Sequence, residues 1–220
     1  MTLDVFDIIG PIMIGPSSSH TAGAVRLGRL AQAVFGEIPE QVDIFLHGSF
    51  AKTYKGHGTD VALVAGLLGL DTDDAGIASA LELAKVRGLT VSFIPADLGA
   101  VHPNTAKLVM RKQGRKREVL GSSIGGGNIV VTQIDEFTVD LRGDFYTIIA
   151  TYLDRPGMVA KVSALLAKGR VNIAQMKVSR VDKGAQALMV VEIDNQVPDE
   201  IAEEIRGLEG IQSLLKIKPI

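Results

Sequence analysis

The chain has 220 residues, 46% of them hydrophobic, enough to fill one large or two ordinary cores. Its formal charge of −2 gives no basic field for a phosphate backbone, and aromatic residues are sparse with no Trp, so nucleic acid is not an expected partner. There is no cysteine, which excludes disulfides, thiolate zinc sites and cysteine-ligated iron–sulfur clusters within this polypeptide; any such metal is expected from another chain.

Residues 1–7 carry early acids and no basic segment ahead of an apolar run, which is not the pattern of a signal peptide. The longest apolar stretch, 61–70, is shorter than a membrane span, so no membrane contact and a cytoplasmic location are expected. The segment Gly15-Pro16-Ser17-Ser18-Ser19-His20-Thr21 precedes an expected helix over 22–35, and residues 42–46 read as a strand. Two further helices fit 59–70 and 75–87, opened by Thr59 and by Asp73 or Asp74 as capping residues. Strands are expected at 90–95, 106–113, 117–122 and 128–134, which makes this part α+β.

The texture changes between Asp135 and Asp144, and the expected domains are 1–143 and 144–220. Beyond that point a β-branched strand at 146–152 is closed by the turn Asp154-Arg155-Pro156-Gly157. A helix over 158–168 follows, with Met158, Val162, Leu165 and Leu166 on one face and Gly169 as its stop. Strands at 171–181 and 185–193 are joined by Asp182-Lys183-Gly184; Asp199 caps a helix to 208, and 211–217 makes a last strand. The order βαββαβ folds into one antiparallel sheet with both helices on one face, a ferredoxin-like module.

Three of four histidines fall in expected loops bounded by glycine or proline: His20, His57 in Gly56-His57-Gly58-Thr59-Asp60, and His102 in His102-Pro103-Asn104-Thr105. Imidazoles on constrained loops at element ends suit an active site as well as they suit ordinary turns. The hydroxyls of Ser17, Ser18, Ser19 and Thr21 and the free N–H groups of a helix start can hold a carboxylate or phosphate, and capping by Ser19 or Thr21 alone accounts for only one of them. Gly56 and Gly58 let backbone near His57 approach a ligand, where a neutral imidazole serves as general base. His47, at a strand end, reads as structural. The loop Ser122-Ser123-Ile124-Gly125-Gly126-Gly127-Asn128 lacks the lysine of a phosphate loop and precedes a strand; its glycines read as permitting close approach of another backbone. The basic run 111–117 around Gly114 reads as a solvated hairpin tip.

Together these four motifs, in this order and spread over the chain, resemble the beta chain of bacterial iron–sulfur-dependent L-serine dehydratase. The resemblance implies that the N-terminal part is an allosteric-substrate-binding-type domain, also found as an intervening domain in some D-3-phosphoglycerate dehydrogenases, and that the βαββαβ part is an ACT domain. It implies conversion of L-serine to pyruvate and ammonia, with a [4Fe-4S] cluster held by cysteines of a separate alpha chain and no metal ligand in this chain. On the family pattern His57 is the base or assists it, Thr59 orients it or the substrate, and His20 completes the catalytic set. Ser17, Ser18, Ser19 and Thr21, with His102 and Asn104, then contact substrate or line the cleft. For the ACT-like part the resemblance points to Asp154, Arg155, Pro156, Gly157, Met158 and Val159, with Asn172 and Ile173, as a site for L-serine or a surface for self-association. A regulatory amino-acid-binding protein without chemistry is the alternative, and a stand-alone hydrolase lacks a convincing triad.

Overall fold

The computed structural model describes residues 12–220, which divide into two compact units after Asp135. The unit boundary sits at the start of the 135–144 interval. The 143/144 division differs from it over one element, the strand β6 (Phe137–Leu141). No helix of the described residues is long and apolar enough to cross a membrane.

The first unit opens on a single π-helical turn, Ser18–Ala22, that runs directly into helix α1 (Gly23–Phe35). The cap is Ser17, not Ser19 or Thr21: its hydroxyl accepts the His20 N–H at 3.1 Å and its carbonyl accepts the Thr21 N–H at 2.8 Å. Leu27, Leu30, Ala31 and Val34 form the buried stripe of α1, and Gly36, at φ 95°, ends it. Strand β1 (Gln41–Leu46) alternates cleanly, burying Val42, Ile44 and Leu46. An unexpected helix follows, α2 (Gly48–His57), which glycines at 48 and 56 hide from a propensity reading. Gly58, in the left-handed conformation at φ 68°, joins it to α3 (Thr59–Leu67) with no other residue between. Thr59 therefore does not cap α3. Gly58 holds that place, and the Thr59 side chain is fully buried.

Helix α3 stops at Leu67 and is apolar on nearly every face, as befits a helix enclosed by others. The 75–87 helix is broken into a 3-10 stretch, Ala75–Ser79, capped by the Asp74 carboxylate on the Gly76 N–H at 2.7 Å, and α4 (Ala80–Val86). Strands β2 (Thr90–Pro95), β3 (Thr105–Lys112), β4 (Arg115–Gly125) and β5 (Asn128–Ile134) complete the unit, ordered β2-β1-β3-β4-β5. Among the described residues only β1 and β2 pair in parallel, because the helices between them supply the crossover that a parallel pair needs. The basic hairpin tip is neutralised locally: Arg111 meets Asp43 at 2.6 Å, and Lys112 and Arg115 meet Glu37 at 2.6 and 2.7 Å.

Helices α1 and α3 touch backbone to backbone. A Cβ added at Gly28 would lie 2.3 Å from the Leu63 carbonyl oxygen, and one at Gly66 would lie 2.0 Å from that of Val25. Neither contact is with a flexible side-chain end, so neither position accepts a larger residue without moving a helix.

In the second unit β6 is followed by β7 (Tyr146–Leu153), α5 (Met158–Lys168), β8 (Ile173–Arg180), β9 (Gln186–Ile193), α6 (Asp199–Arg206) and β10 (Ile211–Ile217). From β7 onward this is the expected βαββαβ order, in an antiparallel sheet arranged β10-β7-β9-β8. Ile148, Ala150 and Tyr152 of β7 and Met189 and Val191 of β9 meet Val162 and Leu166 of α5 and Ile201 and Ile205 of α6 in one core. Asp199 does not cap α6; Pro198 occupies the cap and the Asp199 carboxylate pairs with Lys216.

Gly66→Ala is expected to lower stability by about 1–3 kcal/mol, since overpacking against a backbone outweighs the helix-propensity gain of roughly 1 kcal/mol. Gly56→Ala provides the contrast: a Cβ there meets nothing within 4 Å, so it should be neutral or slightly stabilising. Urea midpoints of the two variants and the parent measure both.

Candidate functional site

The first unit gathers its chemistry around His20. The imidazole is half-buried, with Nδ1 3.0 Å from the Ser19 hydroxyl and Nε2 3.1 Å from the hydroxyl of Ser49, at the start of α2. Phe50, fully buried, meets the His20 ring edge-on at a centroid distance of 5.3 Å. His57, exposed at the other end of α2, tilts over the same ring at 5.0 Å. A helix of ten residues thus presents both its ends to one imidazole.

The loop before β3 fixes the near end of α2. Gly48 stands at φ 55°, and a Cβ there would lie 2.8 Å from the Pro103 Cα, so only glycine admits this approach. The Ser49 N–H donates to the Pro103 carbonyl at 2.8 Å, and Thr53 Oγ1 donates to the Ser49 carbonyl at the same distance. In that loop His102 Nδ1 accepts the Asn104 N–H at 3.1 Å, and the Asn104 carbonyl accepts the Ser123 N–H at 3.0 Å. His102 and Asn104 thereby shape the loop, while the Nε2 edge of exposed His102 stays turned away from that bond.

Burial, and secondarily the nearby charge of His57, lower the His20 pKa from the ordinary histidine value. The ring is therefore a neutral imidazole at neutral pH, able to take up a proton. Ser17 Oγ, 3.4 Å from Ser19 Oγ, extends the row of hydroxyls on one side, and Ser18 gives its carbonyl to the Gly23 N–H. Thr21, Thr59 and Ser123 bring three more hydroxyls that are buried and, among the described residues, without a hydrogen-bond partner. His47 is structural, as expected: its Nδ1 accepts the Leu98 N–H at 3.1 Å.

Several sequence expectations need correction. His20 lies in a π-helical turn and His57 ends a helix, so of the three expected loop histidines only His102 is one. Gly56 is helical and Gly58 is a left-handed helix cap, and a Cβ on either would meet nothing within 4 Å. The three glycines 125–127 turn the β4–β5 hairpin at φ 106°, 59° and 80°, left-handed backbone for which glycine is suited. Ser49 and Phe50 were missed. A serine after Gly48 at the end of a strand is a helix-opening signal, but seeing it requires seeing α2 first.

In the second unit the turn after β7 is held by Asp154, whose carboxylate takes the Gly184 N–H at 3.1 Å and Arg180 at 2.9 Å. These two bonds keep its pKa below the usual carboxylate value. Arg155 pairs with Glu209 at 2.8 Å, and Gly157 stands at φ 88° before α5. Met158 points into the core, whereas Val159 is exposed; Asn172 donates to Asp194 at 2.7 Å, and Ile173 is half-buried. The exposed members Arg155, Pro156, Gly157, Val159 and Asn172 are open to solvent, and Met158 is not. Among the described residues no group of three or more His, Cys, Asp or Glu is placed to hold a metal ion.

Residues 3–89 match the family model described as serine dehydratase beta chain, and residues 146–210 match that of the ACT domain. The probable L-serine dehydratase beta chain of Bacillus subtilis (strain 168) is 46% identical over 97% of each chain. The L-serine dehydratase beta chain of Peptoniphilus asaccharolyticus is 40% identical over 93% of each. A D-3-phosphoglycerate dehydrogenase of Synechocystis is 28% identical over 89% of this chain but only 35% of its own length.

His20 should titrate below about 6.5, the value of a free histidine. Its share of stability then falls as pH drops from 6.5 through the folded pKa, because the unfolded chain binds the proton first. His57→Ala should raise the midpoint only in part, since burial is the larger cause. Histidine titration followed by NMR in parent and variant tests both statements.

Proposed function

The chain belongs to the L-serine dehydratase beta-chain family, and from that footing we propose that it forms, with a separate alpha chain, the enzyme that converts L-serine to pyruvate and ammonia. The observation that carries the reading is the His20 cluster: a neutral imidazole between two serine hydroxyls, 5.0 Å from a second, exposed imidazole. Loss of water across Cα–Cβ begins by removing a weakly acidic Cα proton, and it needs donors for the carboxylate so that charge building at Cα is stabilised. His57 is exposed and takes the Cα proton at its imidazole. His20 stands beside it as the second proton-accepting group. The hydroxyls of Ser17, Ser18 and Ser19, with the Asn104 amide and the His102 Nε2 edge, face the carboxylate and amino groups. Thr59 and Thr21, being buried, act from behind: Thr59 sets the junction that aims His57, and Thr21 supports the π-helical turn.

A thiolate-held [4Fe-4S] cluster does not fit this chain, which has no cysteine. In this proposal the cysteine-bearing alpha chain holds it, in the cytoplasm, and closes the cleft over the exposed His57 rim. The functional division we adopt is 1–143 for the site-bearing domain and 144–220 for the ACT domain. The second unit pairs copies of the chain and binds L-serine near Arg155, Pro156, Gly157 and Val159, with Asn172 and Ile173; Asp154 holds the shape of that turn.

One observation favours a second reading, amino-acid binding without chemistry. The same two-part stretch accounts for about a third of a chain named for a different activity, D-3-phosphoglycerate dehydrogenase, at 35% of its length.

In the enzyme assembled with its alpha chain, His57→Ala should cut serine-dependent pyruvate formation by roughly 10²–10⁴-fold. Turnover near the parent value would remove His57 as base and favour the binding-only reading. Calorimetry with L-serine on the full chain should give heat that Arg155→Ala abolishes. Equal heat in both places the ligand elsewhere, and none in either leaves the second unit an assembly surface.

A further inference from the structure

Both ring nitrogens of His20 are occupied. Ser19 Oγ stands at Nδ1 and Ser49 Oγ at Nε2, so the imidazole cannot contact a substrate directly in this arrangement and must act through a hydroxyl. The two hydroxyls are not equivalent. Ser19 sits in the serine row that begins at Ser17, on the side where the π-helical turn offers its polar groups. Ser49 is anchored: its N–H is held by the Pro103 carbonyl, its own carbonyl by Thr53, and its neighbours are the constrained Gly48 and the fully buried Phe50.

Resting on the reading of His20 as part of the dehydratase site, we propose that Ser49 is a positioning residue that accepts the Nε2–H of His20, fixing the ring plane and the tautomer so that the basic Nδ1 faces Ser19. Ser19 then donates its O–H to Nδ1. The Ser19 oxygen, polarised by that bond and with its one proton committed to Nδ1, meets the substrate as an acceptor, toward the amino group and not the carboxylate. The arrangement has the logic of a base oriented by a third group, with a hydroxyl in the orienting place and the tautomer as the controlled quantity. It also explains why α2 must begin against Pro103 with a glycine: a shift of that helix start would carry Ser49 off the ring.

The test has two parts. On the full chain, 15N-edited NMR of the histidine rings should show neutral His20 protonated at Nε2, and Ser49→Ala should turn it into a mixture of tautomers while Ser49→Thr keeps the parent state. In the enzyme assembled with its alpha chain, Ser49→Ala should lower kcat by about 10- to 100-fold with little change in KM, and Ser49→Thr should restore most of it. A parent His20 protonated at Nδ1, or a Ser49→Ala enzyme with unchanged tautomer and kcat, overturns the role of Ser49. His20→Ala separates the two levels: full activity there refutes the site reading itself, whereas a dead His20→Ala beside a normal Ser49→Ala refutes only the inference. If Ser49→Ala does not fold, the parent spectrum and the Ser49→Thr enzyme still decide.

Discussion

The backbone contact between Gly28 on α1 and Gly66 on α3 is the constraint from which the arrangement of the site follows. Helices with ordinary side chains at their crossing stay 8–10 Å apart, whereas glycine on both sides lets carbonyl oxygen approach Cα. The N-terminal extension of α1 is the π-helical turn that carries His20, and α3 begins two residues after His57, with only Gly58 between. Locking α1 to α3 therefore locks the two imidazoles to each other. Their separation is set by helix packing, with no hydrogen bond between them among the described residues.

The electrostatics of the cluster favour an uncharged ring at His20. Hydroxyls surround His20, and its pKa is lowered by burial and by another imidazole, so the uncharged ring is favoured over the cation. A carboxylate beside it would have done the opposite. Buried hydroxyls on Thr21, Thr59 and Ser123 bring polar groups into the packing around this region without adding charge.

In the second unit Asp154 takes two hydrogen bonds that close the hairpin between β8 and β9, which gives the turn at 154–157 a fixed shape from which Arg155 and Val159 project. A ligand meeting such a turn finds it already ordered, so little conformational entropy is lost on binding. The same rigidity serves an assembly surface equally well, which is why ligand heat, and not geometry, separates the two roles.

Much of the fold was legible. The βαββαβ order was readable because each strand and helix there has its own uninterrupted period and its own turn, Asp182-Lys183-Gly184 being one, and α1 and β1 were equally plain. Of the motifs singled out, those around His20 and His57 are brought together by the fold, and family resemblance supplied the chemistry proposed for them. Local pattern could not show α2, since Gly48 and Gly56 lower helix propensity and the glycine at 48 serves a contact with Pro103 that lies far along the chain. For the same reason Ser49 and Phe50 were invisible as partners of His20, and Thr59 read as a cap although burial claims it. Sequence alone determined which elements form wherever the forces are local: side-chain period, turn residues, the absence of cysteine. Only tertiary structure decided which nitrogen of His20 meets which hydroxyl, because that depends on two backbones meeting at glycines whose need for smallness no neighbouring residue reveals.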